Sequence, residues 1–282
     1  MSWLFYALIG VVGSSFASVM RRALMKDDKA DAYASAIAFQ FLGFIMILLF
    51  SLLNGFSLPP IQTYWLNYLA QAFLWGLVTV FLFKANKYLE ASQVTIIYSF
   101  ASIVGIVSAV LFLNDNLTVT RVWGTVLIIF SVILVFWQKG KVELNRGFGY
   151  MLAVCLCSGV AVTNDAFLLR TTDVFSMLTI GWLTPGLFLL IAHPKAVVRL
   201  KYYWHKKHFN SLFWFTLLYA LSGAAFYLAI KAGGQVSQVS PISNASIILT
   251  VLLSALFLNE RNNLLKKLIA AVLVMIGVML LS

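Results

Sequence analysis

The sequence predicts an all-α integral membrane protein whose ten transmembrane helices form two inverted five-helix repeats. Three observations lead to this fold class: an apolar composition, ten apolar runs of membrane-spanning length, and a pentapeptide that recurs with one residue changed. Hydrophobic residues make up 62% of the 282 residues and charged residues 10%, and the mean hydropathy is +0.94. A soluble domain is closer to half apolar and a quarter charged, so part of the surface must face lipid.

The apolar runs are each long enough to cross the hydrocarbon core of a bilayer, which is roughly 30 Å thick. Aromatic residues such as Trp3 and Trp137 lie near their ends, as is typical of membrane interfaces. The predicted spans are residues 3–20, 32–54, 64–83, 91–113, 119–138, 148–169, 174–192, 211–231, 235–258 and 264–282.

The basic residues are distributed unequally between the two sides of the predicted bundle. Of the 20 lysines and arginines, all except Arg121, Arg170 and Lys231 lie on the side of the loops that follow odd-numbered spans, either in these loops or, for Lys266 and Lys267, at the adjoining start of the tenth span. By the positive-inside rule, these loops are cytoplasmic and both termini face outward. The net charge of +11 therefore indicates anionic lipid headgroups and not nucleic acid as a partner. We expect a bacterial inner-membrane protein, either a monomer or a homodimer.

The pentapeptide "LFLND" at 111–115 returns as "LFLNE" at 256–260. It ends a longer match, in which residues 91–115 and 236–260 align without gaps. Spans 1 and 6 also share residues at a constant offset, for example Tyr6 with Tyr150 and Ser14 with Ser158. The repeated unit contains five spans, and an odd number of crossings places the second copy upside down. We therefore predict repeats at residues 1–140 and 147–282.

The repeated stretches resemble those of a known family. The segments "ANKYLEASQV" (85–94) and "LFLND", and their second copies "AIKAGGQVS" (229–237) and "LNERNN" (258–263), are similar to the repeated signature of the EamA family in the drug/metabolite transporter superfamily. The resemblance implies a five-plus-five arrangement of spans and the transport of a small solute. This sequence departs from the family pattern at Asp115, where glutamate is usual, and at Ser102 and Ile247, where a central proline is often found. Family members usually have cytoplasmic termini, whereas the charge distribution here places them outside.

Polar side chains recur along one face of spans 4 and 9. At helical spacing they are Ser92, Thr95, Ser99 and Ser102 in span 4, and Ser237, Ser240 and Asn244 in span 9. Such residues either allow close helix packing or line a pocket. Under the second interpretation, the two faces converge on one central cavity. The predicted substrate-binding residues of these spans are Tyr98, Ser99, Ser102, Ser240, Ser243 and Asn244.

Span 3 adds Gln71 and Trp75, one helical turn apart, as further candidates for substrate binding. Trp75 could stack on a flat substrate, although core packing is the alternative. Of the nine acidic residues, only Asp165 lies inside a predicted span. An ionisable residue at membrane depth is a functional candidate, so Asp165 is the possible coupling residue. The competing interpretation is an ion pair with Arg170 near the interface.

The sequence does not indicate an enzyme. It shows no nucleophile with a base, no paired carboxylates and no phosphate-binding glycine motif. His205 and His208 lie close together, but no carboxylate or cysteine near them completes a metal site, and no cofactor is expected. The sequence instead predicts a secondary transporter of a small organic metabolite, such as an amino acid. The alternatives are an exporter or flippase of amphipathic drugs or lipid-linked sugars, and a non-transporting membrane scaffold or receptor.

Overall fold

The computed structural model describes residues 3–113, 118–138, 141–142, 145–233, 239 and 242–281. A 3-10 helix, Pro194–Trp204, follows the eighth helix, and two short strands, β1 (Trp137–Gln138) and β2 (Lys141–Val142), pair antiparallel between the two halves of the chain. The α-helices are α1 (Trp3–Met25), α2 (Ala32–Leu53), α3 (Trp65–Tyr88), α4 (Ala91–Tyr98), α5 (Phe100–Leu113), α6 (Val119–Phe136), α7 (Arg146–Leu168), α8 (Val174–Ala192), α9 (Lys206–Lys231), α10 (Ser246–Phe257) and α11 (Leu264–Leu281).

Nine helical segments within the described residues are long and apolar enough to cross a membrane. Eight of them coincide with α1, α2, α3, α6, α7, α8, α11 and the first part of α9, and the ninth runs through α4 into α5 as Ala91–Ser108. A shorter apolar stretch, Ile242–Phe257, contains α10. Large apolar side chains such as Leu53 and Ile191 are exposed at 85% and 79%, as expected for a surface that faces lipid. The chain is a multi-pass integral membrane protein.

The ends of two helices differ from the predicted spans. The first span was predicted to stop at residue 20, but α1 continues to Met25 and includes Arg21 and Arg22. Neither arginine is exposed to lipid: Arg21 is buried inside the protein fold, and Arg22 pairs with Glu260. The eighth span was predicted from residue 211, whereas α9 begins at Lys206. Hydropathy alone places a helix end at the first charge, although a helix can carry charges beyond the hydrocarbon.

The fourth predicted span is one helical segment with a tightened turn at Ser99. The Ser99 N–H donates to the Ile96 carbonyl oxygen at 3.3 Å, which is the spacing of a 3-10 turn. The second half contains the same feature at Ala245, whose N–H donates to the Ile242 carbonyl oxygen at 2.9 Å. Both halves therefore interrupt the α-helical ladder at a similar depth in the corresponding span.

An aspartate begins the second helix of each half. Asp31 Oδ1 accepts hydrogen bonds from the backbone N–H groups of Tyr33 and Ala34 at the start of α2, and Asp173 caps α8 in the same way. Such caps satisfy N–H groups that have no partner inside the helix. The two caps fix where each helix starts, and they lie at opposite ends of the bundle.

Helices of the two halves pack against each other in matched pairs. The main contacts join α1 to α9, α3 to α7, α2 to α8 and α6 to α11. The last pair approaches closely at Gly124 and Gly277, where a Cβ atom added to Gly124 would lie 2.5 Å from the Gly277 carbonyl oxygen. Small residues permit this approach between membrane helices. The first three pairs enclose the cavity described below.

Candidate functional site

A cavity of about 240 Å³ lies between the two halves of the protein, and we call it the central cavity. Its wall comes from α1, α2 and α3 of the first half and α7, α8 and α9 of the second. The polar and charged lining residues are Arg21, Gln40, Gln71, Thr79 and Asp165. The aromatic lining residues are Phe39, Trp75, Phe83, Trp182, Phe215 and Tyr219. The cavity therefore offers both hydrogen-bonding groups and an aromatic wall.

Asp165 is held by two donors on α3. One carboxylate oxygen accepts from Gln71 Nε2 at 2.8 Å, and the other accepts from Trp75 Nε1 at 2.8 Å. Because Gln71 and Trp75 are one turn apart, they present their donors to the same carboxylate. The predicted candidates Gln71, Trp75 and Asp165 thus meet in one cluster. Asp165 makes no ion pair with Arg170 among the described residues, so that interpretation is wrong; Arg170 is exposed instead.

A second hydrogen-bonded group continues along α3. Gln40 Nε2 on α2 donates to Thr79 Oγ1 at 2.7 Å, and the Thr79 hydroxyl donates to the Trp75 carbonyl oxygen at 2.7 Å. Gln71, Trp75 and Thr79 follow each other at four-residue intervals and form one stripe on the cavity wall. Gln40 was not identified from the sequence, because an isolated glutamine in an apolar run has no periodic partner.

Arg21 is a charged lining residue that sequence reasoning also missed. It was assigned to a loop, but it lies in α1, about one turn before the helix ends, and is only 6% exposed. Its Nε atom is buried without a hydrogen-bond partner. Tyr98 and Tyr219 are close enough to interact with its charge. The central cavity therefore contains a buried cation as well as the Asp165 carboxylate.

Arg21 and Asp165 occupy equivalent positions in the two repeats. The register that aligns Tyr6 with Tyr150 and Ser14 with Ser158 also aligns Arg21 with Asp165. Both residues line the central cavity, Arg21 near the last turn of α1 and Asp165 near the last turn of α7. This alignment was the sequence signal that could have identified Arg21.

The loops after α1, α3, α8 and α10 meet at one end of the bundle, which we call the basic end. Glu260 is 6% exposed there and accepts hydrogen bonds from Arg22 Nε at 2.9 Å and from the Ala91 backbone N–H at 3.0 Å. Lys26 lies 3.5 Å from the same carboxylate, and Lys267 pairs with Glu90. These contacts tie α1, α4 and α11 together at the basic end.

The repeated sequence motifs supply these contacts. Asn259 in "LFLNE" has a φ of 55°, in the left-handed region that asparagine tolerates better than most residues. The following Glu260 N–H donates to the Ser254 carbonyl oxygen at 3.2 Å, which ends α10 and directs the carboxylate over the bundle. Glu90 belongs to "ANKYLEASQV" and pairs with Lys267. In the first copy of the pentapeptide, residues 114–115 lie outside the described residues.

The 3-10 helix packs over the basic end through two tyrosines. The Tyr202 hydroxyl donates to Asp27 Oδ2 at 2.7 Å, and this hydrogen bond lowers the pKa of Asp27. Burial raises the pKa of Tyr202. Tyr203 contacts Ser35 Oγ at 2.5 Å. Val198 and Trp204 remain exposed at 65% and 80%.

Two of the residues predicted from span 4 line a different cavity. Tyr98 and Ser102 border a second cavity of about 300 Å³, together with Gly105, Arg121 and Ser158. It lies between α4, α5, α6 and α7. Tyr98 also interacts electrostatically with Arg21 and Tyr219, which line the central cavity.

The other residues predicted from spans 4 and 9 that the structure describes line neither cavity. Ser99 is buried and its hydroxyl donates to the Ile96 carbonyl oxygen at 2.6 Å, whereas the Ser243 hydroxyl donates to the Val239 carbonyl oxygen at 2.9 Å. Asn244 is partly buried and has a partner in the protein. Ser240 lies outside the described residues. Within the described part of the chain, α4 and α10 contribute no lining residue to the central cavity, so the expected convergence of spans 4 and 9 on it is not observed.

The comparisons with known proteins identify the family. The sequence profile of the EamA-like transporter family matches residues 1–137 and again residues 145–282. No curated protein matches the sequence. The fold resembles a solved structure described only as "Crystal structure of protein", with 15% identity, a TM-score of 0.62, and coverage of 98% of this chain and 96% of that chain. At this identity the likeness shows the fold alone. The two profile matches span nearly the whole sequence, and the chain therefore belongs to the EamA-like transporter family, whose members are membrane transporters and not enzymes.

Proposed function

We propose that the protein is a secondary transporter of a small organic metabolite, such as an amino acid or a related compound. The observation that carries the proposal is the central cavity of about 240 Å³, walled by helices from both halves. In transporters built from internal repeats, the substrate site lies where the repeats face each other. A cavity that combines the Asp165 cluster with aromatic side chains suits a solute that has both polar and apolar parts.

The proposed architecture is ten spans in two inverted repeats, at residues 1–140 and 147–282. The ninth of these spans, residues 235–258, contains α10 and brings the nine candidate helices to ten. The five-span unit inverts the second copy because five crossings is an odd number. The helix contacts support this arrangement. In each half the first helix (α1 or α7) packs against the third helix of the other half (α9 or α3). The proposed setting is the bacterial inner membrane, with anionic lipids at the basic end and a monomer or homodimer as the assembly.

Alternating access requires that each end of the bundle opens in turn. We infer that the ion pairs of Glu260 with Arg22 and of Lys267 with Glu90 hold the basic end closed. Opening this end requires these ion pairs to separate. The tightened turns at Ser99 and Ala245 are suited to bending, because short 3-10 stretches within helices often act as hinges. These features support a gated carrier.

The size of the cavity favours a small metabolite over an amphipathic drug or a lipid-linked sugar. Pockets for drug-sized ligands usually enclose about 300–1,000 Å³, and the central cavity encloses about 240 Å³. The alternative from another functional class is a non-transporting membrane scaffold or receptor. It would bind a ligand without moving it across the membrane.

The test is uptake by proteoliposomes that contain the purified protein. A panel of radiolabelled amino acids, other carboxylic acids, amines and neutral metabolites is compared with protein-free liposomes. The proposal expects saturable accumulation or exchange of at least one small metabolite. Binding to the protein in detergent without uptake would support the receptor alternative. Uptake confined to amphipathic drugs would support the alternative of a drug exporter or flippase.

A further inference from the structure

Arg21 is a buried cation whose charge the surrounding protein does not neutralise. Its neighbour Arg22 pairs with Glu260 and donates to the Asn86 carbonyl oxygen, but none of the ion pairs among the described residues includes Arg21. Its Nε atom is buried without a partner, and the side chain lines the central cavity. Removing a charge from water without pairing it is strongly unfavourable. The arginine therefore requires an anionic partner in its working state.

The same cavity contains a buried acceptor that has no partner. Gln71 is 1% exposed, and its Oε1 atom has no hydrogen-bond partner. Its amide orientation is fixed, because Nε2 donates to Asp165 Oδ1 at 2.8 Å and the reversed amide would place two acceptors together. One part of the cavity thus lacks an acceptor for Arg21, and another part lacks a donor for Gln71.

These two groups lie in different regions of the cavity. Arg21 is near the basic end, since the adjacent Arg22 contacts the Asn86 carbonyl oxygen near the end of α3. Gln71 is near the start of α3, beside Asp165, and aromatic residues such as Trp182 and Tyr219 also line the wall. A ligand that satisfies both groups carries an oxyanion at one side and an N–H donor at the other. A guanidinium suits a carboxylate because it can donate two parallel hydrogen bonds.

We propose that Arg21 binds the carboxylate of the transported substrate, and that an N–H donor of the same molecule binds Gln71 Oε1 and the Asp165 carboxylate. This inference rests on the proposed transport function and specifies its substrate class, an organic acid with an N–H donor. The cavity volume of about 240 Å³ limits the size of this molecule, because it equals the liquid volume of roughly eight waters. The substrate is therefore oriented, with its carboxylate toward the basic end.

The experiment compares binding to the purified full-length protein for matched compounds. Each acid of the panel is paired with its methyl ester and its amide, and with the amine that lacks the carboxyl group. Binding is measured as the ligand-induced rise in melting temperature and by titration calorimetry, which do not depend on transport. The variants are Arg21→Gln and Arg21→Lys, and Lys29→Gln is the control because it makes the same change of charge in an exposed loop.

For the wild type and for Lys29→Gln, the dissociation constant of the acid should be at least about tenfold lower than that of its ester or amide. Arg21→Gln should abolish this preference, and Arg21→Lys should restore part of it. Without ligand, Arg21→Gln should melt at the same temperature as the wild type or higher, since it removes an unpaired buried charge.

Two results would overturn the inference. One is equal binding of acid and ester by the wild type, and the other is unchanged preference for the acid in Arg21→Gln. A marked fall in the melting temperature of ligand-free Arg21→Gln would also overturn it, because Arg21 would then be a structural residue. If the acids bind through Arg21 but proteoliposomes take up none of them, the transport proposal fails and the assigned binding site stands.

Discussion

Glu260 accepts a hydrogen bond from Arg22 Nε at 2.9 Å and thereby joins the loop after α10 to the end of α1. The same carboxylate accepts from the Ala91 N–H at the start of α4. Three parts of the chain that are distant in sequence meet at one buried acid. This acid therefore joins the two halves of the protein at the basic end.

Glu260→Gln should weaken the closed basic end. Loss of the charge-assisted hydrogen bonds should lower the free energy of unfolding by about 1.5–3 kcal/mol, measured by thermal melting in detergent. Asp28→Asn is the matched control, since it makes the same change at an exposed position of the same end and should have little effect. An unchanged melting temperature in Glu260→Gln would show that the hydrogen bonds of Glu260 do not contribute to the proposed closure of the basic end.

Asp165→Asn should remove proton-driven accumulation of the substrate. Asp165 lines the central cavity and accepts hydrogen bonds from Gln71 and Trp75. Asparagine has nearly the same size, but it carries no charge and its one amide oxygen can accept from only one of these two donors. The measurement is uptake into proteoliposomes with and without an imposed pH gradient. Trp75→Phe retains the carboxylate and should keep accumulation, with a lower rate. If Asp165→Asn still accumulates substrate in response to the gradient, coupling occurs elsewhere.

Cysteine substitution at two glycines tests which of the two cavities binds the substrate. Gly223 lines the central cavity, and a Cβ atom added there meets no atom within 4 Å; Gly105 lines the second cavity, where the nearest atom is 3.9 Å away. In a background with Cys155→Ala and Cys157→Ala, substrate should slow thiol labelling of Gly223→Cys by several-fold, and should not affect Gly105→Cys. Labelling rates with a water-soluble maleimide provide the readout.

The same assay tests the site predicted from spans 4 and 9. Ser99→Cys and Asn244→Cys should react and be protected by substrate if those faces line the transport pathway in another state. Protection at these two positions and not at Gly223→Cys would contradict the assignment of the central cavity. Protection at Gly223→Cys alone would leave the polar faces of spans 4 and 9 as packing surfaces.

Gly124→Ala should destabilise the contact between α6 and α11. The added methyl group would lie 2.5 Å from the Gly277 carbonyl oxygen, so the helices must move apart. We expect a loss of roughly 1–3 kcal/mol, the range for overpacking a tight contact. Gly149→Ala in α7 is the control because its added Cβ atom meets nothing within 4 Å, and it should be neutral or stabilising by about 1 kcal/mol from helix propensity. Equal melting temperatures for the two variants would contradict the close contact.

The distribution of basic residues predicts an extracytoplasmic C-terminus. Alkaline phosphatase fused after Ser282 should therefore be active, because it folds only outside the cytoplasm. Green fluorescent protein fused at the same place should be dark. The reverse result would place the basic end outside the cytoplasm, and would agree with the orientation usual for the family.

The sequence by itself determined the membrane character, most span positions and the family. The membrane character and the spans follow from a local requirement, since each crossing needs about 20 apolar residues. The family follows from the repeated stretches that end in "LFLND" and "LFLNE". Periodicity also selected Gln71 and Trp75, which share one face of α3 and bind the same carboxylate.

Only the tertiary structure decided which charged residues enter the site. The sequence placed Arg21 in a loop, because hydropathy puts the end of a span at the first charge. It identified Asp165 as a possible coupling residue and left open an ion pair with Arg170, its nearest basic neighbour along the chain. The structure instead brings α1, α3 and α7 around one cavity, where Arg21 is buried and Asp165 is bound by α3. The partner of a buried charge is set by packing between helices that are distant in sequence, and the local pattern of residues does not contain that information.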